Sequence, residues 1–93
     1  MKPITRKGDA LAGHGCWGDH NIAEGDPTFL INGIPASFLG ASSTVHCCGP
    51  ACHSGGMAGQ NHFILNGLSA QKISDPVDCG STQIAGDPTF QIE

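Results

Sequence analysis

Gly25-Asp26-Pro27-Thr28-Phe29-Leu30-Ile31-Asn32-Gly33 decides the fold, because the chain writes it more than once. It returns as Gly59-Gln60-Asn61-His62-Phe63-Ile64-Leu65-Asn66-Gly67, and again, cut short, as Gly86-Asp87-Pro88-Thr89-Phe90-Gln91-Ile92-Glu93. The starts lie 34 and 27 residues apart (59 − 25 and 86 − 59). Two copies end on Asn-Gly, the pair that suits a type I′ hairpin turn because both central residues take positive φ. Asp26-Pro27 and Asp87-Pro88 suit tight turns before a strand. Short apolar runs between turn residues read as strands, and no stretch sustains the i, i+3, i+4, i+7 spacing of a helix. The expectation is all-β: one domain over residues 1–93, built of short hairpins with approximate threefold symmetry.

The repeat continues past the turn. Ile34-Pro35-Ala36-Ser37-Phe38-Leu39-Gly40 follows the first copy and Leu68-Ser69-Ala70-Gln71-Lys72-Ile73-Ser74 the second. Ile4-Thr5-Arg6-Lys7-Gly8-Asp9 looks like the end of a third such arm, able to serve the truncated copy. Aligning the arms superposes Gly8, Gly40 and Ser74. His14 and His46 stand six residues further on, and Cys79 stands five beyond Ser74. Equivalent positions converge on a symmetry axis, so these three side chains can meet although remote in sequence.

Composition says what they would do there. A 93-residue chain with 14 Gly, four Phe, one Trp and no Tyr has little with which to build a core. Small scaffolds of this kind need a staple. Five cysteines (Cys16, Cys47, Cys48, Cys52, Cys79) and five histidines are available. The odd count, and an N-terminus without the apolar run of a signal peptide, argue against a disulfide framework and for synthesis in the cytosol. Cys16, Cys47 and Cys48 then read as small buried thiols. Structural zinc takes four Cys or His ligands in a tetrahedron. The second unit is long between ligand and strand, and the insertion Cys47–Gly56 carries His53, the preferred fourth ligand. Cys16, His20, Cys47 and Cys52 are rivals. Four protein ligands leave no position for a reactive water, and no HExxH, phosphate loop or nucleophile elbow occurs. The site therefore reads as structural, with no catalytic residue and no enzyme activity expected. Trp17 reads as a wedge beside the metal loop, and His62, aligned with Thr28 and Thr89, as a variable strand residue.

A net charge of −4 with only four basic residues excludes a nucleic-acid surface, and no apolar run reaches the roughly 20 residues of a membrane span. Strand alternation puts Phe29, Ile31, Phe63, Leu65, Phe90 and Ile92 on the core face. Thr28, Leu30, Asn32, His62, Ile64, Asn66, Thr89 and Gln91 point the other way. That second face is partly apolar, as a surface that another molecule covers would be. A threefold face matches a partner with true threefold symmetry.

On these residues the chain resembles the PAAR-repeat proteins, the tips of type VI secretion spikes. The Phe-(Leu/Ile)-(Ile/Leu)-Asn-Gly strand-turns, the truncated third copy, Ile34-Pro35-Ala36, Lys7-Gly8-Asp9 with His14-Gly15, and Asp78-Cys79-Gly80 carry the resemblance over essentially the whole chain. It departs at the family's eponymous Pro-Ala-Ala-Arg, which reads Pro35-Ala36-Ser37-Phe38 and Leu68-Ser69-Ala70-Gln71, so a role for that arginine does not carry over. The resemblance implies a cone with one zinc near its apex held by three His and one Cys, which matches His14, His46, His53 and Cys79. It implies a base that docks on the blunt end of a trimeric VgrG-like spike and sharpens it for membrane puncture. The chain is then cytoplasmic as made and carried outward on the spike. Ending at Glu93, it reads as a bare tip without an effector extension, any effector being a separate chain. The alternatives are a small zinc domain on another trimeric β-structure, such as a phage tail spike, and, more remotely, a zinc hydrolase.

Overall fold

Both Asn-Gly pairs form the turns their sequence predicts: φ is 50° and 81° at Asn32 and Gly33, and 48° and 81° at Asn66 and Gly67. In the computed structural model, which describes all of residues 1–93, these turns close two of five antiparallel strand pairs. The strands are β1 (Lys2–Ile4), β2 (Ala10–Leu11), β3 (His20–Asn21), β4 (Asp26–Ile31), β5 (Ile34–Ala36), β6 (His46–Cys48), β7 (Ala51–His53), β8 (Ile64–Leu65), β9 (Leu68–Ser69) and β10 (Asp87–Ile92). β2 pairs with β3, β4 with β5, β6 with β7 and β8 with β9. The truncated third copy, β10, finds its partner at the other end of the chain. It pairs with β1 in the register Lys2↔Ile92 and Pro3↔Gln91. The N-terminal arm thus begins at Lys2, two residues before the point legible in sequence, and the third hairpin is complete except for its turn. There is no helix, and so none long and apolar enough to cross a membrane.

The arms bond to one another in a closed ring. The amides of Lys7, Leu39 and Ile73 donate to the carbonyls of Pro35, Ser69 and Pro3, at 2.8, 2.8 and 3.0 Å. Each arm then turns at one residue of positive φ: Gly8 (91°), Gly40 (91°) and Ser74 (83°). Glycine adopts this conformation freely and serine only at a cost, so the ring imposes it on Ser74. One step further, the amides of Gly8, Gly40 and Ser74 donate to the carbonyls of Ile22, Met57 and Gln83, all at 2.8 Å.

The bridges Arg6↔Ala36, Phe38↔Ala70 and Ile4↔Lys72 make Arg6, Phe38 and Lys72 equivalent. This corrects the sequence alignment of the four-residue motif. Its second copy is Ser69–Lys72 rather than Leu68–Gln71, and a further copy is Pro3-Ile4-Thr5-Arg6. Two of the three slots therefore hold a cation. Arg6 lies 3.3 Å from both Asp9 and Asp87, and Lys72 lies 3.2 Å from Asp75.

The repeated glycine that opens each phrase is required by close approach. A Cβ at Gly25 would stand 2.5 Å from the Pro35 carbonyl oxygen, one at Gly86 2.5 Å from that of Ile4, and one at Gly59 would run into the Asp75 carboxylate. The Asp-Pro-Thr segments also bind neighbouring units. Asp26 accepts from the amide and hydroxyl of Thr28, at 2.8 and 2.7 Å, and from the Asn66 amide. Asp87 accepts likewise from Thr89, at 2.8 and 2.7 Å, and from Asn32. The Thr28 and Thr89 bonds hold the two carboxyls below the ordinary carboxylate range.

Two small apolar clusters make the core. The first is Ile4, Ile31, Ala36, Leu65, Ala70 and Ile92. Against it pack Phe29, Phe63 and Phe90, every pair edge-to-face, with centroids 5.6, 5.6 and 6.0 Å apart. The second cluster is Leu11, Ile22, Ala41, Met57 and Val77. Thr5, Ser37, Gln71 and Gln83 are fully buried as well. Thr5 Oγ1 donates to Gln83 Oε1 at 2.7 Å, and Gln83 Nε2 donates to Gln71 Oε1 at 2.9 Å. Ser37 Oγ is the only buried side-chain polar atom without a partner. Only 25 of 93 residues are buried, so the thin core expected from composition is the one observed.

Candidate metal centre

The same ladder that builds the arms delivers the candidate ligands. The amides of Ala12, Thr44 and Asp78 donate to the carbonyls of Thr82, Asn21 and Gly56, at 2.8, 2.7 and 3.0 Å. Two residues on, His14 and His46 are therefore equivalent to Gly80, not to Cys79. Gly80 has φ of 106° and lies against the His14 ring. The sulphur comes from the residue before it. The fourth residue arrives on an insertion, the hairpin β6–β7, in which His53 pairs directly opposite His46.

One potential donor atom from each of His14, His46, His53 and Cys79 lies within 4.8 Å of all the others. His53 Nε2 stands 3.2 Å from His14 Nε2 and 2.6 Å from His46 Nε2. Two nitrogens at about 2.05 Å from one tetrahedral ion would be about 3.3 Å apart. The His14–His53 spacing is close to that value and the His46–His53 spacing is shorter, so the four residues form a group that could hold a metal ion, and three imidazoles with one thiol are donors that zinc takes.

The surroundings orient the donors. His46 Nδ1 donates to the Gly18 carbonyl at 2.7 Å, which leaves the Nε2 lone pair facing the cluster. Trp17 stacks on His14 and His53, with centroids 5.2 and 4.8 Å apart, and its Nε1 donates to the Ala51 carbonyl at 3.2 Å. Trp17, read in sequence as a wedge beside this loop, thus walls the cluster. His20, a rival ligand in sequence, is buried flat against His46 at 3.7 Å. Its Nδ1 donates to the Thr44 carbonyl at 2.9 Å and its Nε2 accepts from Ser81 Oγ at 2.8 Å, so both nitrogens are engaged. The Cys79 sulphur lies 3.7 Å from the same hydroxyl.

Burial lowers the pKa of His20, with the charges of His46 and His14 adding to the effect and the Thr44 bond opposing it. Burial, then the charges of His46, His14 and His20, lower that of His53. Both shifts favour the neutral imidazole, the form that binds metal.

The remaining cysteines overturn one expectation. Cys16 pairs with Cys48 and Cys47 with Cys52, and Cys79 alone is free. None of the four is a buried thiol: Cys16, Cys47 and Cys52 are exposed and Cys48 is half-buried. The odd count misled because the odd cysteine is the candidate ligand. A signal was present in sequence: Cys16 and Cys48 each stand two residues after equivalent histidines, so convergence of His14 and His46 brings them together too.

His62 is not part of the cluster. It lines a cleft of about 400 Å³ with Phe63, Phe90, Gln91 and the chain ends. Thr28, Leu30, Asn32, His62, Ile64, Asn66, Thr89 and Gln91 are all exposed. Leu30 and Ile64 keep 54% and 55% of their surface in solvent, a large share for aliphatic side chains in ordered strands. No protein-family model matches the chain, and no curated protein matches it either.

Proposed function

We propose that this chain is a spike tip of the PAAR type: a zinc-stapled cone whose base caps a trimeric VgrG-like spike. The observation that carries this reading is the closed ring of equivalent bonds from Lys7, Leu39 and Ile73 to Pro35, Ser69 and Pro3. A ring of three equal arms has an approximate threefold axis, and three equal chains can meet it along that axis. The edge-to-face triangle of Phe29, Phe63 and Phe90 belongs to the same end of the molecule as exposed Leu30 and Ile64. Arg6, at the end of Pro3-Ile4-Thr5-Arg6, supports the family reading by restoring an arginine to one slot of the motif.

The role is mechanical. One zinc held by His14, His46, His53 and Cys79 joins loops from all three units where the apolar core gives out. Closed zinc sites contribute on the order of 10 kcal/mol to folding at neutral pH. Four protein donors leave no open position for a substrate or an activated water, which favours a staple over a hydrolytic centre. The base strands, through Thr28, Leu30, His62, Ile64, Thr89 and Gln91, cover the blunt end of the spike. Effector proteins that travel with the spike would be held around this cap.

Mass measurement of a complex with the spike protein of the same cell tests the reading. One tip per spike trimer is the expected result, with Leu30→Asp and Ile64→Asp abolishing the complex while the zinc content stays at one per chain. Binding of three tips per trimer, or none, overturns it.

A further inference from the structure

Four of the five cysteines have no part in the metal cluster, yet every one lies within two residues of a histidine in it. Cys16 follows His14 by two residues and Cys48 follows His46 by two. Cys47 adjoins His46 and Cys52 adjoins His53. The two disulfides span different parts of the site. Cys47–Cys52 closes the hairpin β6–β7 on itself, across a pair of residues next to the His46↔His53 pair. Cys16–Cys48 ties that hairpin to the first-unit loop over 32 residues of sequence. The hairpin carries two of the four ligands. Apart from this bond it is joined to the loop of His14 by the Trp17 bond to the Ala51 carbonyl, the His46 bond to the Gly18 carbonyl, and non-covalent ring contacts of Trp17 and His14 with His53 and of His20 with His46. Cys16, Cys47 and Cys52 are exposed, so small redox partners reach them.

We infer that these two cysteine pairs are a redox latch on the metal centre: oxidised, they hold His14, His46 and His53 in register and slow metal loss; reduced, they release the hairpin and let metal exchange. The latch rests on the reading of His14, His46, His53 and Cys79 as a zinc site. Its chemistry is thiol–disulfide exchange with an external disulfide. One sulphur of a pair attacks the external disulfide, giving a mixed disulfide and one released thiol. The second sulphur displaces the remaining half. One protein disulfide forms, the external disulfide is reduced to two thiols, and the two protein thiol protons pass to the released thiols. A dithiol reverses the step and ends as its own disulfide, whereas a phosphine with one water returns the pair to two thiols and ends as the phosphine oxide. In this scheme the chain takes up zinc while its thiols are reduced, and meeting an oxidising medium locks the ion in place.

The test uses the full chain loaded with zinc, divided between glutathione disulfide and a phosphine reductant and freed of both. Alkylation followed by mass measurement counts free thiols, metal analysis gives zinc per chain, and a chromogenic chelator follows zinc release. The oxidised sample should show four fewer free thiols than the reduced one, from two disulfides. It should also release zinc about ten-fold more slowly, the lower end of what supporting contacts contribute to metal affinity. The double variant Cys16→Ala/Cys48→Ala, treated with glutathione disulfide, should release zinc at the fast rate. If that variant does not fold, the comparison of the two wild-type samples still decides. One zinc in both samples with equal release, or slower release after reduction, overturns the latch and leaves the zinc site standing. No disulfide after treatment with glutathione disulfide overturns it as well. No zinc in either sample overturns both.

Discussion

The two ends of this molecule answer the same repeat differently. At the base, repetition is literal. Phe29, Phe63 and Phe90 meet edge-to-face at nearly equal distances, and Ile31, Leu65 and Ile92 lie buried beneath them. At the metal end the repeat breaks. Only His14 and His46 occupy equivalent positions, Gly80 stands where the third histidine would be, Cys79 supplies sulphur from one residue earlier, and His53 comes from an inserted hairpin. The difference has a physical cause. Apolar packing is non-directional and accepts three copies of one side chain around an axis. A tetrahedral ion would require four donors, which three units cannot supply equally. One unit has to give twice, and the second does so by growing β6–β7.

Removing the metal should break the comparison most severely. Cys79→Ser, His46→Ala or a strong chelator is expected to cost several kcal/mol of the folding free energy, given the order of 10 kcal/mol that a closed zinc site contributes. Trp17 is the only tryptophan and stacks on two of the ligands, so its fluorescence reports this end alone. Fluorescence that is unchanged by the chelator, with an unchanged melting temperature, would contradict a stapling role.

The aromatic triangle should come next. Phe29→Ala, Phe63→Ala and Phe90→Ala each remove a half-buried ring and are expected to cost about 2–3 kcal/mol, below the 3–5 of a fully buried ring. The sharper expectation is that the three costs agree to within about 1 kcal/mol, since contacts that are equivalent should respond alike. Denaturant unfolding measures this, and one residue dominating the set would end the claim of equivalence at the base.

The smallest effect lies between the two ends. Ser37 Oγ is buried without a partner, and a buried unsatisfied hydroxyl costs about 1–3 kcal/mol. Ser37→Ala should therefore raise stability, by about 1 kcal/mol, in contrast to the other two changes. A loss of stability would show that the hydroxyl has a partner in solution.

The base was legible in sequence because its devices are local and repeated. Asn-Gly turns, Asp-Pro starts and strand alternation each act over a few residues, and three copies reinforce one reading. The metal cluster was legible at one remove, since His14, His46 and Cys79 stand out only after the arms are aligned, and His53 only as a ligand within an insertion. Cys16–Cys48 is legible only through the convergence of His14 and His46 across 32 residues, and Cys47–Cys52, five residues apart, is hidden by the odd cysteine count. The offset of the four-residue motif was missed for another reason. Superposing Gly8, Gly40 and Ser74 already puts Arg6, Phe38 and Lys72 in one slot, and reading the motif as Leu68–Gln71 departs from that register by one residue, which the bridges Arg6↔Ala36, Phe38↔Ala70 and Ile4↔Lys72 restore. Arg6 was in view all along, in an arm read as a fragment.

The pairing of Lys2 with Ile92 has a consequence for how the chain can be rewired. First and last strands lie side by side where the other two hairpins carry an Asn-Gly turn. A short linker between Glu93 and Met1 would supply the missing turn, and opening the chain at Asn32-Gly33 instead would disturb none of the bonds that run from arm to arm. The molecule is in this sense a circular permutation of itself. The architecture is indifferent to which of its three corners is left open.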